Sequence, residues 1–159
     1  MSPQLQLEDY ALTRLHIAWR PPTKDTVTIE SLRYDFDYDV GVHAGDDKRY
    51  KLDLRIHVAE LGNEETEVGY SVDADLTGFF SFLPECEPAA REKLIRVNGL
   101  SILYSTFRGI LGGVTGTFPG GKLNLPAIMP QHIVQQVEDR KRAKGAAPVK
   151  SLPAPTVQN

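Results

Sequence analysis

Residues 32 to 42 alternate too strictly to leave much choice of structure. Leu32, Tyr34, Phe36, Tyr38, Val40 and Val42 are apolar, and Arg33, Asp35, Asp37, Asp39 and Gly41 separate them. Successive side chains of a strand point to opposite faces, so the run predicts a strand with one aromatic and one acidic face. Three further stretches repeat the pattern. Leu5 and Leu7, then Leu15, Ile17 and Trp19, alternate ahead of Pro21 and Pro22, which donate no ladder bonds. Tyr50, Leu52, Leu54, Ile56 and Val58 form the third stretch, and Val68, Tyr70, Val72, Ala74 and Leu76 the fourth, which ends in an aromatic cluster of Phe79, Phe80 and Phe82. The turns at 43–47 and 62–63 are far too short for parallel crossovers. The expectation is a four-stranded antiparallel meander with one apolar and one polar face.

Helical signals follow. Pro84 and Pro88 flank a helix start, with Glu85, Glu87 and Glu92 where the helix dipole favours negative charge. Asn98-Gly99 reads as a break or cap, after which the helix resumes from Leu100 to Val114. Glycines and Pro119 between 116 and 121 then forbid helix, and Leu123 and Leu125 stand two apart, as in extended chain. Pro130 opens a shorter helix to about Arg142, with Ile133 and Val137 on one side. The fold class is therefore α+β, a sheet with a long and a short helix packed on one face. Residues 1–144 form one domain, and 145–159, rich in Ala and Pro, are expected to be disordered. Leu94, Val97, Leu100, Leu103, Phe107 and Ile110 spread around much of the long helix, so burial on more than one side, and hence an oligomer interface, is expected.

Composition excludes several function classes. A net charge of -3 lacks the basic excess that marks a nucleic-acid binder. No apolar run approaches the ~20 residues that span a bilayer, and the start of the chain has no signal-peptide pattern. The single cysteine, Cys86, forms no internal disulfide, which fits a cytoplasmic protein. Gly116, Gly121 and Lys122 stand at P-loop spacing, but Leu123 replaces the hydroxyl residue that would hold magnesium. Asp35, Asp37 and Asp39 resemble the start of a calcium loop, yet Val40 stands where the sharp turn needs glycine. The four histidines show no ligand spacing. No metal, cofactor or catalytic site is expected.

The residues from Ile102 to Leu125 carry a family resemblance. Ile102-Leu103-Tyr104, Arg108, Thr117-Phe118-Pro119 and Leu123-Asn124-Leu125 reproduce, in order, the helix, crossover and Leu-Asn-Leu pattern of the SecB protein-export chaperones. The likeness extends in element order from about Leu5 to Val137. It implies a homotetramer, a dimer of dimers with the long helix sandwiched between sheets. It also implies hydrophobic grooves that hold unfolded or precursor polypeptides without ATP and keep them competent for the preprotein translocase. Carried onto this chain, the groove takes Trp19, Tyr34, Phe36, Tyr38, Phe118, Leu123, Leu125, Ile133 and Val137.

The docking patch for the translocase motor is matched only in Leu61, Glu64 and Glu65. Where the family has acidic residues on the first strand, this chain has Arg14 and Ala18. A SecB-like chaperone that holds the antitoxin of a toxin-antitoxin system is therefore an alternative. A different class, an oligomeric adaptor without clients, is the other.

Overall fold

The computed structural model describes residues 4–22, 29 and 31–145. Four long strands form one antiparallel sheet: β1 (Leu5–Arg20), β2 (Ser31–His43), β3 (Asp46–Leu61) and β4 (Glu67–Phe82). The α+β class and the four antiparallel strands are as expected, but the order differs. The sheet runs β1-β4-β3-β2, so β2, β3 and β4 make the meander and β1 lies against β4 at the opposite edge from β2. This is the Greek-key order, in which one long connection crosses between edges. The ten-residue gap between β1 and β2, longer than a hairpin loop, was the available signal.

β1 also explains its own broken alternation. The register slips between Leu7 and Asp9 and again between Leu12 and Arg14. Each bulge resets the phase, so that Leu5, Leu7, Tyr10, Leu12, Leu15, Ile17 and Trp19 pair opposite Phe82, Phe80, Gly78, Leu76, Ala74, Val72 and Tyr70. By contrast β2 pairs with β3 in unbroken register from Ser31 to Val42.

One face of the sheet carries the core. Leu52, Leu54, Val72, Ala74 and Leu76 from the two central strands are almost wholly buried on the side that carries the helices α1 (Pro88–Leu94) and α2 (Leu100–Thr115), chiefly under α2 and the turn that precedes it. Asn98-Gly99 does not break the helix. A π-helical turn over Ile95–Gly99 joins α1 to α2, and Gly99 keeps helical angles of φ -61° and ψ -46°. Leu100, Leu103, Tyr104, Phe107, Leu111 and Thr115 form the buried stripe of α2. Gly78 makes room for it, because a Cβ there would stand 2.7 Å from a Leu103 methyl. A buried guanidinium fixes the start of the rod: Arg91 donates from Nε to the Cys86 carbonyl at 3.1 Å and pairs with Asp47 at 3.0 Å. Helix α3 (Pro130–Gly145) lies over β2, its buried residues being Ile133 and Val137. Apart from Gly145, the segment expected to be disordered lies outside the described residues.

Near the β3–β4 turn, Glu60 is buried and its Oε2 accepts the Tyr70 N–H at 2.7 Å. Gly69, at φ +69°, admits this carboxylate, since a Cβ there would lie 2.1 Å from it. Burial raises the Glu60 carboxyl above its ordinary range, with the Tyr70 N–H opposing. The ionised form is thus disfavoured on folding. Its contribution is most favourable below the ordinary carboxylate pKa and is lost as pH rises through the raised value. Relative to the native chain, Glu60→Gln is expected to gain stability between about pH 4 and about pH 7. Urea midpoints at the two pH values test this, and an equal difference at both would remove Glu60 from the pH dependence.

Candidate functional site

The crossover between α2 and α3 is irregular in backbone but is not loosely held. Thr115, fully buried, donates to the Leu111 carbonyl at 2.7 Å and accepts the Leu123 N–H at 2.9 Å. The Tyr70 hydroxyl donates to the Gly121 carbonyl at 2.5 Å, that of Tyr104 to Pro126 at 2.9 Å, and Arg108 Nε to Leu125 at 2.8 Å. Burial pushes the Tyr104 phenol far up, so its proton stays available as a donor. Phe118, expected to line a client groove, packs half-buried against Tyr70 with ring centroids 5.9 Å apart. Trp19 closes on the glycine turn, where a Cβ at Gly120 would fall 2.2 Å from the indole nitrogen. The segment 116–122 leads from a helix into irregular chain, which is not the strand-to-helix setting of a P-loop.

Of the nine residues expected to line a groove, Phe36, Tyr38, Leu123, Leu125, Ile133 and Val137 are buried in the chain's own core. Trp19, Tyr34 and Phe118 are half-buried. On β2, Tyr34 stacks on Phe36, whose ring meets Tyr104 edge-on, and the Lys141 ammonium lies 5.6 Å from the Tyr38 ring centre. Helices α2 and α3 therefore share the cover of the aromatic face of β2, Tyr104 meeting Phe36 and Lys141 meeting Tyr38. Beside it, Arg96 pairs with Glu92 at 2.5 Å and approaches Glu138 at 3.6 Å. This clasp separates two open clefts. One, of ≈ 520 Å³, includes Val97 and Val134; the other, of ≈ 530 Å³, includes Tyr38, Val40 and Tyr50.

The outer face of the sheet is a lattice of ion pairs. Arg55 meets Asp37 at 2.8 Å and Asp39 at 2.7 Å, Arg14 meets Asp75 at 2.9 Å, and Arg140 reaches Asp35 from α3. These pairs are exposed, worth about 0–1 kcal/mol each, and matter mainly by neutralising the acidic face. The carboxylates with calcium-loop spacing are spent on this lattice. Among the described residues no group of three His, Cys, Asp or Glu has metal-site geometry, and no helix is long and apolar enough to cross a membrane.

No protein-family model matches the chain, and no curated protein does. Solved structures do. Rv1957 of Mycobacterium tuberculosis, a SecB-like chaperone in complex with a ChAD peptide from the Rv1956 HigA1 antitoxin, superposes with a TM-score of 0.60 over 79% of this chain and 91% of its own, at 19% identity. The chain has a SecB-like fold. A protein of unknown function from Streptococcus agalactiae gives a looser superposition, with a TM-score of 0.44 at 8% identity over 79% of this chain and 99% of its own.

Within this SecB-like fold the expected interface residues divide. Leu100, Leu103 and Phe107 are fully buried against the sheet, whereas Leu94, Val97 and Ile110 are half-buried. Leu7, Leu12, Leu15 and Ile17 of β1 and Ile102 of α2 are also only partly covered, while Val114 and Tyr10 are exposed. Of the docking residues, Leu61 is buried, Glu65 is exposed, and Glu64 lies in the 3₁₀ turn Asn63–Glu65. Arg14 and Ala18 sit on β1, Arg14 facing the outer surface in its pair with Asp75. Sequence reasoning placed Tyr70 on the apolar face of its strand but missed its bond to the crossover, and it missed Thr115 and Gln136, because single polar residues in a helix carry no periodic signal.

Proposed function

We propose that the chain is an ATP-independent holdase that binds unfolded polypeptides through apolar surface on the helical side of its sheet. The observation that carries this reading is the SecB-like fold joined to an incompletely covered apolar face, with Leu7, Leu12, Leu15, Ile17, Leu94 and Ile102 only partly buried. Apolar area binds many sequences because the client supplies surface and not a fixed hydrogen-bond pattern. Self-association, as the homotetramer of the family resemblance, takes up part of that face, and several weak sites on one assembly then add through multivalency.

Two roles are compatible with this activity, delivery of precursor clients to the translocase motor of protein export and holding of an antitoxin. The paired state of Asp35, Asp37, Asp39 and Asp75 favours the second, because carboxylates already bonded to arginines offer less to a basic docking partner. The antitoxin peptide bound to Rv1957 points the same way. A cytoplasmic location goes with this reading, since precursors and antitoxins are both made there.

The test is refolding of a slow-folding, chemically unfolded client with and without the protein, no nucleotide present. Arrest in proportion to protein added is expected. Identical refolding in both tubes across several clients would leave the fold without this function and favour an adaptor whose apolar surface is consumed by its own assembly.

A further inference from the structure

The outer edge of β2 is finished by a side chain where another strand would fit. β2 is an edge strand, so alternate main-chain groups point away from β3 without ladder partners. Gln136 of α3 takes up two of them: its Oε1 accepts the Phe36 N–H at 3.1 Å, and its Nε2 donates to the Tyr34 carbonyl at 3.2 Å. A side-chain amide has the donor and acceptor of a peptide group. These two bonds, one on each side of Asp35, are the pair that one residue of a parallel neighbouring strand would make.

We propose that the β2 edge is a strand-addition site for extended polypeptide, with Gln136 as its resident surrogate. A client segment displaces Gln136 and bonds to Tyr34 and Phe36 through its own backbone. The proposal rests on the holding function above and names how the client is recognised. Main-chain bonding supplies affinity regardless of sequence, which suits a protein with many clients.

Three features single out this edge. β2 keeps an unbroken register from Ser31 to Val42, whereas β1, the other edge, is interrupted by two bulges that spoil a template. The surrogate is also lightly held. Among the residues of α3 only Ile133 and Val137 are buried, and its ion pairs, Arg140 with Asp35 and Glu138 with Arg96, are solvent-exposed and individually weak. Finally, α3 covers the Tyr38 ring through Lys141 and the main chain of Tyr34 and Phe36 through Gln136, so its withdrawal makes backbone bonding and apolar contact available together. An added strand has one side toward the cleft of Tyr38, Val40 and Tyr50 and the other toward Asp35, Asp37 and Arg140. The matching client is therefore an extended segment that alternates apolar and polar residues.

The test uses the full chain and a labelled peptide of about ten residues, alternately leucine and serine, beside the same peptide with its central amides N-methylated. Fluorescence anisotropy reads binding of each to the native chain and to Gln136→Ala, whose fold is checked by circular dichroism. Strand addition predicts that N-methylation weakens binding about tenfold or more, and that Gln136→Ala tightens the parent peptide several-fold and the methylated one little. Equal binding of both peptides, or a gain from Gln136→Ala shared by both, overturns strand addition and leaves holding through apolar contact intact. If neither peptide binds and unfolded clients also refold unimpeded, the holding function itself falls.

Discussion

Phe107→Ala is expected to remove about 3–5 kcal/mol of stability. Phe107 is fully buried in the middle of the α2 stripe, so its loss opens a cavity between helix and sheet that Leu103 and Leu111, also fully buried, have little freedom to fill. A domain of this size has about 5–15 kcal/mol in total, so the variant should fold weakly or not at all. At about 2–4 °C per kcal/mol the melting point should fall by about 6–20 °C. Ser105→Ala, on the exposed side of the same helix, should change stability by no more than about 0.5 kcal/mol. Thermal melts of the two variants in one buffer decide the matter. Equal losses would mean that α2 packs by a different face.

Thr115→Val tests what holds the crossover. Valine keeps the shape but removes the hydroxyl that links the Leu111 carbonyl to the Leu123 N–H. A buried N–H is left without a partner, which costs about 1–3 kcal/mol. Thr115→Ser keeps the hydroxyl and loses only a methyl, so it should recover most of that amount. Hydrogen exchange at the Leu123 amide is the sharper readout, faster in Thr115→Val and nearly native in Thr115→Ser. If the two variants behave alike, packing of Leu123 and Leu125 holds the crossover and the hydroxyl is incidental.

The crossover matters because its attachment sets where α3 lies. Thr115, Tyr70, Tyr104 and Arg108 fix the chain between Gly121 and Pro126, and α3 starts four residues later at Pro130. Sequence marked this segment through its glycines and its Thr-Phe-Pro and Leu-Asn-Leu pattern. It also carried Tyr104 and Arg108 inside that pattern, though not their task of bonding the carbonyls of Pro126 and Leu125. Phe118 was legible as an aromatic on a loop. Its place against Tyr70 was not, because the two residues are 48 positions apart and no local pattern links them.

By itself the sequence determined four strands, their apolar faces, helix after Pro88 (though not its continuity through Asn98-Gly99), the irregular crossover and the last helix. These follow from period-two and period-3.6 burial and from the backbone limits of glycine and proline, all of which act locally. Tertiary structure alone decided that β1 lies beside β4, because alternation says which face of a strand is buried and not which strand is its neighbour. It decided that Phe36 and Tyr38 lie against α2 and α3, since apolar residues look the same in a sequence whether a helix or a client covers them. It also decided the use of Gln136. A glutamine within a helix has no distinctive pattern until packing of Ile133 and Val137 brings its amide to the free edge of β2.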